Sequence, residues 1–177
     1  MVSLDYFTYI SSLFTLDLKM NKRKYINATD LSYMFYGCTS LINISGLSKL
    51  NTNNAIDISH MFENCSKLEE IKDIFDLETN EIDDISFMLS NCTSLISLPN
   101  ISKLNIDNII NICGIFEDCS SMNSLPDISK WKANNVKNMS QIFSDCSSLK
   151  YFPYIFEWDI YNAKGIKKNV FRLQFVN

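Results

Sequence analysis

The apolar positions of this chain recur at a fixed spacing. Val136, Met139, Ile142, Phe143, Cys146, Leu149, Phe152, Ile155 and Trp158 define nine columns. Stepping back 27 residues at a time from each meets only apolar residues, ending at Ala28, Leu31, Met34, Phe35, Cys38, Leu41, Ile44, Leu47 and Leu50. All 45 positions are apolar, whereas a 46% hydrophobic composition would place about 21 there by chance. The chain is therefore an internal repeat of five copies. Five of its six cysteines, Cys38, Cys65, Cys92, Cys119 and Cys146, occupy one of the columns.

The first half of each copy has apolar residues at i, i+3, i+6, i+7 and i+10, as at Ile109, Ile112, Ile115, Phe116 and Cys119. This spacing predicts one stripe of a helix of about three turns. Asp57, Asn108 and Asn135 stand where they can cap its start. The second half reads Leu-x-x-Ile/Leu/Phe, as at Leu68–Ile71 and Leu95–Leu98, with Pro99, Pro126 and Pro153 following in three copies. It predicts a short strand that leaves through a bend. Neither half can bury its apolar side alone, and stacking the copies does so.

The expected fold is thus α/β: a solenoid of 27-residue repeats, with short parallel strands on one face and short helices on the other. It forms a single domain, with an N-terminal cap over 1–29, five repeats over 30–160 and a C-terminal cap over 161–177. In the first cap Leu4, Phe7 and Phe14 keep register but Ser11 replaces the column Cys. In the second, Ala163, Ile166, Val170, Leu173 and Val176 keep register and Asn169 breaks it.

Composition narrows the function. No apolar run approaches the ~18 residues of a membrane-spanning helix. A net charge of -4 argues against nucleic acid as the main partner. The Met1–Met20 start holds Asp5 and Asp17 and lacks a basic leading segment, so it reads as a cap rather than a signal peptide.

Asp-Ile-Ser-Lys-Trp at 127–131 and Asn-Val-Lys-Asn-Met-Ser-Gln-Ile-Phe-Ser-Asp-Cys-Ser-Ser-Leu at 135–149 resemble the BspA-type leucine-rich repeat. More narrowly, they resemble the Met-Phe-x-x-Cys-x-Ser-Leu surface-protein repeat of bacteria and protists. The resemblance spans about residues 28–160. It implies a leucine-rich-repeat solenoid with a parallel sheet and a non-catalytic binding role, commonly in cell-surface or adhesion proteins. Caps without Cys and the missing signal point instead to an intracellular setting, and the compartment stays open between the two.

One Cys per copy with no nearby His does not make a metal site, and buried free thiols are the better reading of that column. No cofactor site is expected. Cys113 stands apart, in a column otherwise filled by Ser32, Ser59, Ser86 and Ser140. It is the one candidate for a thiol-dependent enzyme, although no base accompanies it. His60 shares a column with Tyr33, Phe87, Gly114 and Gln141, so it reads as an unconstrained surface position. The stretch from Lys67 to Asp84 carries eight acidic and two basic residues and reads as a solvated face, or as a patch for a basic partner. Two of the six Asn-x-Ser/Thr sequons arise because a short polar residue precedes the column Cys, so they follow from repeat chemistry and say little about glycosylation.

Two adjacent columns vary freely between fixed neighbours. They hold Ile42, Glu69, Ile96, Asn123 and Lys150, and Asn43, Glu70, Ser97, Ser124 and Tyr151. A varied strip on a constant frame is what a solenoid presents to a protein or other macromolecular partner, with Ile42, Ile96 and Tyr151 as anchors. A purely structural spacer, or a piece of a longer array, is the remaining alternative.

Overall fold

A computed structural model describes residues 13, 15–17, 29–50, 52–74, 77, 80–99, 104–125, 127–129, 131–151, 163 and 164. Most of both caps, the column positions Phe152, Ile155 and Trp158, and Pro126 and Pro153 lie outside these residues.

The copies stack in parallel. Strands β1 (Thr15–Asp17), β2 (Asn43–Ser45) and β3 (Glu70–Ile71) form one parallel sheet in chain order. Leu16 is paired with Ile44, and Ile44 with Ile71. A second line of parallel bridges runs Asp30–Asp57–Asp84–Asn111–Asn138–Lys164. Thr15–Asp17 therefore contributes a rung from within the N-terminal cap.

Every described member of the nine columns packs into one core. Leu31, Met34, Leu125 and Leu149 are partly buried at its margin. Phe35 stacks on Phe62 with ring centroids 5.0 Å apart, and Phe116 on Phe143 at 5.8 Å. Leu89 interrupts this Phe ladder. A tenth buried column holds Thr52, Ile106 and Ala133. The threonine hides this column from a search for apolar periodicity.

The expected helices are absent. Among the described residues there is no α-helix, only the 3-10 turns Leu47–Lys49 and Ala133–Asn135. The segment 30–40 of each copy, here the turn arm, is instead a chain of tight turns. Tyr36 N–H donates to the Tyr33 carbonyl, Cys38 to Phe35 and Leu41 to Cys38. Four other donors leave the copy. Leu31, Tyr33, Phe35 and Gly37 N–H donate to the carbonyls of Asp57, Ser59, Met61 and Glu63 in the next one. An α-helix would direct those N–H groups to residues four back in the same segment.

Two positions in every copy also have left-handed backbone, which ends any right-handed helix. The first holds Tyr33, His60, Phe87, Gly114 and Gln141, with φ between 53 and 60°. The second holds Gly37, Asn64, Asn91, Asp118 and Asp145, the residue types that tolerate this conformation. The same turns return a side chain to the core about every third residue, so they mimic a helical stripe.

The expected N-caps serve other ends. Asp57 Oδ1 accepts the Ser59 N–H at 2.7 Å, closing a turn between sequence neighbours. Asn108 and Asn135 donate from Nδ2 to the carbonyls of Asn80 and Asp107 in the preceding copy.

Candidate binding surface

The strand arm, from Leu41 to Ser45 and its equivalents, carries the varied strip. Leu41, Leu68, Leu95 and Met122 point inward on one side, and Ile44, Ile71 and Leu98 on the other. The two positions between them are left outside. The Ile42 carbonyl accepts from Glu69 N–H at 2.8 Å and from Glu70 N–H at 3.4 Å. The Ile96 carbonyl accepts from Asn123 N–H at 3.1 Å. The strip thus forms one surface along the solenoid axis. Ile42 and Asn43 are half-buried, whereas Glu69, Glu70, Ile96, Ser97, Asn123, Ser124, Lys150 and Tyr151 are exposed. Ile96 leaves 50% of its surface in solvent and Tyr151 83%, high values for residues of their apolarity. Glu70 pairs with exposed Lys72 at 3.7 Å, a contact of small energetic weight.

Among the described residues regular pairing of this arm stops after β3, and Pro99 accounts for it. Ser45 and Lys72 occupy a column that continues as Pro99, Pro126 and Pro153. Lys72 still donates its N–H to the Ile44 carbonyl, at 3.4 Å. Pro99 has no N–H to give.

All six cysteines are free and buried. Cys65, Cys92, Cys119 and Cys146 donate their S–H to the carbonyls of Phe35, Phe62, Leu89 and Phe116 in the preceding copy, at 3.0–3.3 Å. Burial pushes Cys92 and Cys146 up to about 12, and Cys119 is raised well above an ordinary thiol. Cys113 is buried as well, and burial, then the charge of Glu117, raises it. A raised thiol is a poor nucleophile at neutral pH. The position is satisfied by its backbone, since Cys113 N–H donates to Asn111 Oδ1 as Ser59 and Ser86 donate to Asp57 and Asp84.

His60 is not the plain surface residue its column implied. It is half-buried between the rings of Tyr33 and Phe87, at centroid distances of 4.5 and 5.2 Å, and its Nδ1 pairs with Glu63. The sequon residue Asn64 accepts a hydrogen bond from Asn91 Nδ2 at 2.6 Å, and Asn138 accepts the Ser140 N–H. These side chains are engaged in holding copies and turns together.

A family model described as "Mycoplasma protein of unknown function, DUF285" matches residues 6–98 and again 70–176. The chain belongs to the DUF285 family. No curated protein matches it. Among solved structures, this DUF285 chain is similar to a leucine-rich-repeat protein of Eubacterium ventriosum, at 15% identity and TM-score 0.51. The match covers 83% of this chain and 40% of that one. It is also similar to the leucine-rich-repeat protein of T. pallidum, at 15% identity and TM-score 0.45, over 92% of this chain and 84% of that one. The DUF285 chain thus has the fold of a leucine-rich-repeat solenoid, with turn ladders where helices were expected.

Proposed function

We propose that this protein is a non-catalytic binding module that presents the strip from Ile42 to Tyr151 to a macromolecular partner, most simply a protein. One observation carries the reading. The two strip columns change in size, charge and polarity from copy to copy, while the columns flanking them stay apolar and, among the described residues, buried or partly buried. A solenoid holds such a strip rigidly, so little ordering entropy is lost when a partner docks. Ile96 and Tyr151 offer apolar contact, and the Glu69/Glu70 pair and Lys150 supply charges of opposite sign at separate points along it. Adhesion at a cell surface is the setting that the resemblance to BspA-type surface repeats suggests.

The test is site-specific photocrosslinking in extracts and on intact cells of the source organism. A photoreactive residue at Ile96 or Tyr151 is expected to trap one protein that a residue at exposed Asn134 does not trap. Identical adducts from both sets, or none from the strip, would overturn the proposal. Iodoacetamide labelling addresses the thiol-enzyme alternative. Cys113 is expected to stay unmodified in native protein while all six thiols react after unfolding, and rapid native labelling of Cys113 would count against a binding-only role.

A further inference from the structure

The turn arm has a surface chemistry of its own, separate from the strip. Over 30–40, 57–67, 84–94, 111–121 and 138–148 the five arms carry seven acidic residues and one lysine. The lysines elsewhere, such as Lys132, Lys137 and Lys150, lie outside these arms. Within them an aromatic ladder runs along the axis. Tyr33, His60 and Phe87 stack with interplanar angles of 5 and 13°, and Tyr36 leans on Tyr33 at 5.5 Å and 59°. Tyr33 and Tyr36 leave 49% and 48% of their surface in solvent. The ladder ends at Gly114. A side chain there would meet the Phe87 ring at 2.3 Å, so that ring covers the place a Cβ would take.

Carboxylates border the rings. Glu63 is bonded to His60, and Glu117 accepts from Gln141 Nε2 at 2.9 Å. Burial, then the charges of Asp118, Asp145 and Glu63, pushes the Glu117 carboxyl up. Negative charge is thus crowded on this arm, with one lysine to offset it. Exposed tyrosine rings on an arm with seven carboxylates to one lysine favour a guanidinium or ammonium group, which is drawn by the ring quadrupole and by the net negative charge.

We infer that the turn arm is a second docking face, and that it takes a basic, arginine- or lysine-rich segment of another protein across Tyr33, Tyr36, Glu63 and Glu117. This face is independent of the strip. A partner held on one leaves the other open, so the module can bridge two macromolecules.

Fluorescence anisotropy with a labelled oligo-arginine peptide, at low and at physiological ionic strength, tests the inference. The double variant Tyr33→Asn/Tyr36→Ser keeps the net charge, and Asn tolerates the left-handed backbone at position 33. It is expected to weaken binding about fivefold, the sum of two exposed cation–π contacts. Tyr36→Ser alone, at an exposed position of ordinary backbone, is expected to weaken it about twofold. Glu69→Gln/Glu70→Gln removes two charges from the strip and is expected to leave binding unchanged. An affinity unmoved by the tyrosine substitutions, a larger loss from the strip variant, or no binding by the parent protein would each overturn it.

Discussion

The two arms of each copy pack into one apolar core but are held together differently. In the turn arm every interface repeats one set of hydrogen bonds. Leu31, Tyr33, Phe35 and Gly37 donate to the second copy as Ile85, Phe87, Leu89 and Asn91 donate to the fourth. In the strand arm regular pairing extends only to β3. The arm with regular strands is thus the less regularly bonded of the two. Register between copies rests on the turns, whose left-handed residues are held in place by bonds on both sides. The strand arm, with fewer backbone constraints, is free to carry sequence variation, and the varied strip is found there.

Substitutions that separate the arms test this contrast. Phe116→Ala, in the core of the turn arm, is expected to destabilise the protein by about 3–5 kcal/mol, measured by urea unfolding. A loss under about 1 kcal/mol would show that the Phe ladder does not hold the arm. Gly114→Ala comes next. It places a Cβ on left-handed backbone, with φ +58°, and displaces the Phe87 ring, for an expected loss of about 1–3 kcal/mol.

Lys72→Pro removes the 3.4 Å bond of the strand arm and copies the residue present at 99. Its expected loss is below about 1 kcal/mol. A loss equal to that of Gly114→Ala would reverse the ranking of the arms.

The smallest effect concerns pH. The Glu117 carboxyl is raised in the folded protein, so the folded state holds this proton more tightly than the unfolded chain does. That contribution to stability is complete below the unfolded glutamate value, near 4.3, and is lost as pH rises through the higher folded one. Glu117→Gln is therefore expected to raise the melting temperature slightly at pH 7 and to leave it unchanged at pH 3.5. An equal shift at both pH values would assign the effect to packing.

Much of this was legible in the residues. The period, the nine buried columns, the inward thiols and the outward strip all follow from aligning the copies, because stacking makes each column a single environment. The turn arm was misread for a physical reason. A helix and a ladder of turns both return a side chain to the core about every third residue, and they differ in where the N–H groups go. The signal that distinguishes them was present. Gly37, Asn64, Asn91, Asp118 and Asp145 form a column of residues suited to left-handed backbone, one position before the cysteine. Tyr33, His60 and Phe87 gave no such warning, since their backbone is imposed by the bonds around them. Pro99 was visible as a bend, but its effect on pairing needed the Lys72–Ile44 bond as a reference.

The fit of Phe87 over Gly114 bears on how such an array changes over generations. Loss or gain of a whole 27-residue copy would leave every column in phase. Removing the fourth copy would bring Gln141 into the place of Gly114, directly beneath the Phe87 ring, on backbone that already has φ of 60°. The third and fourth copies are therefore a matched pair, even where their cores are interchangeable.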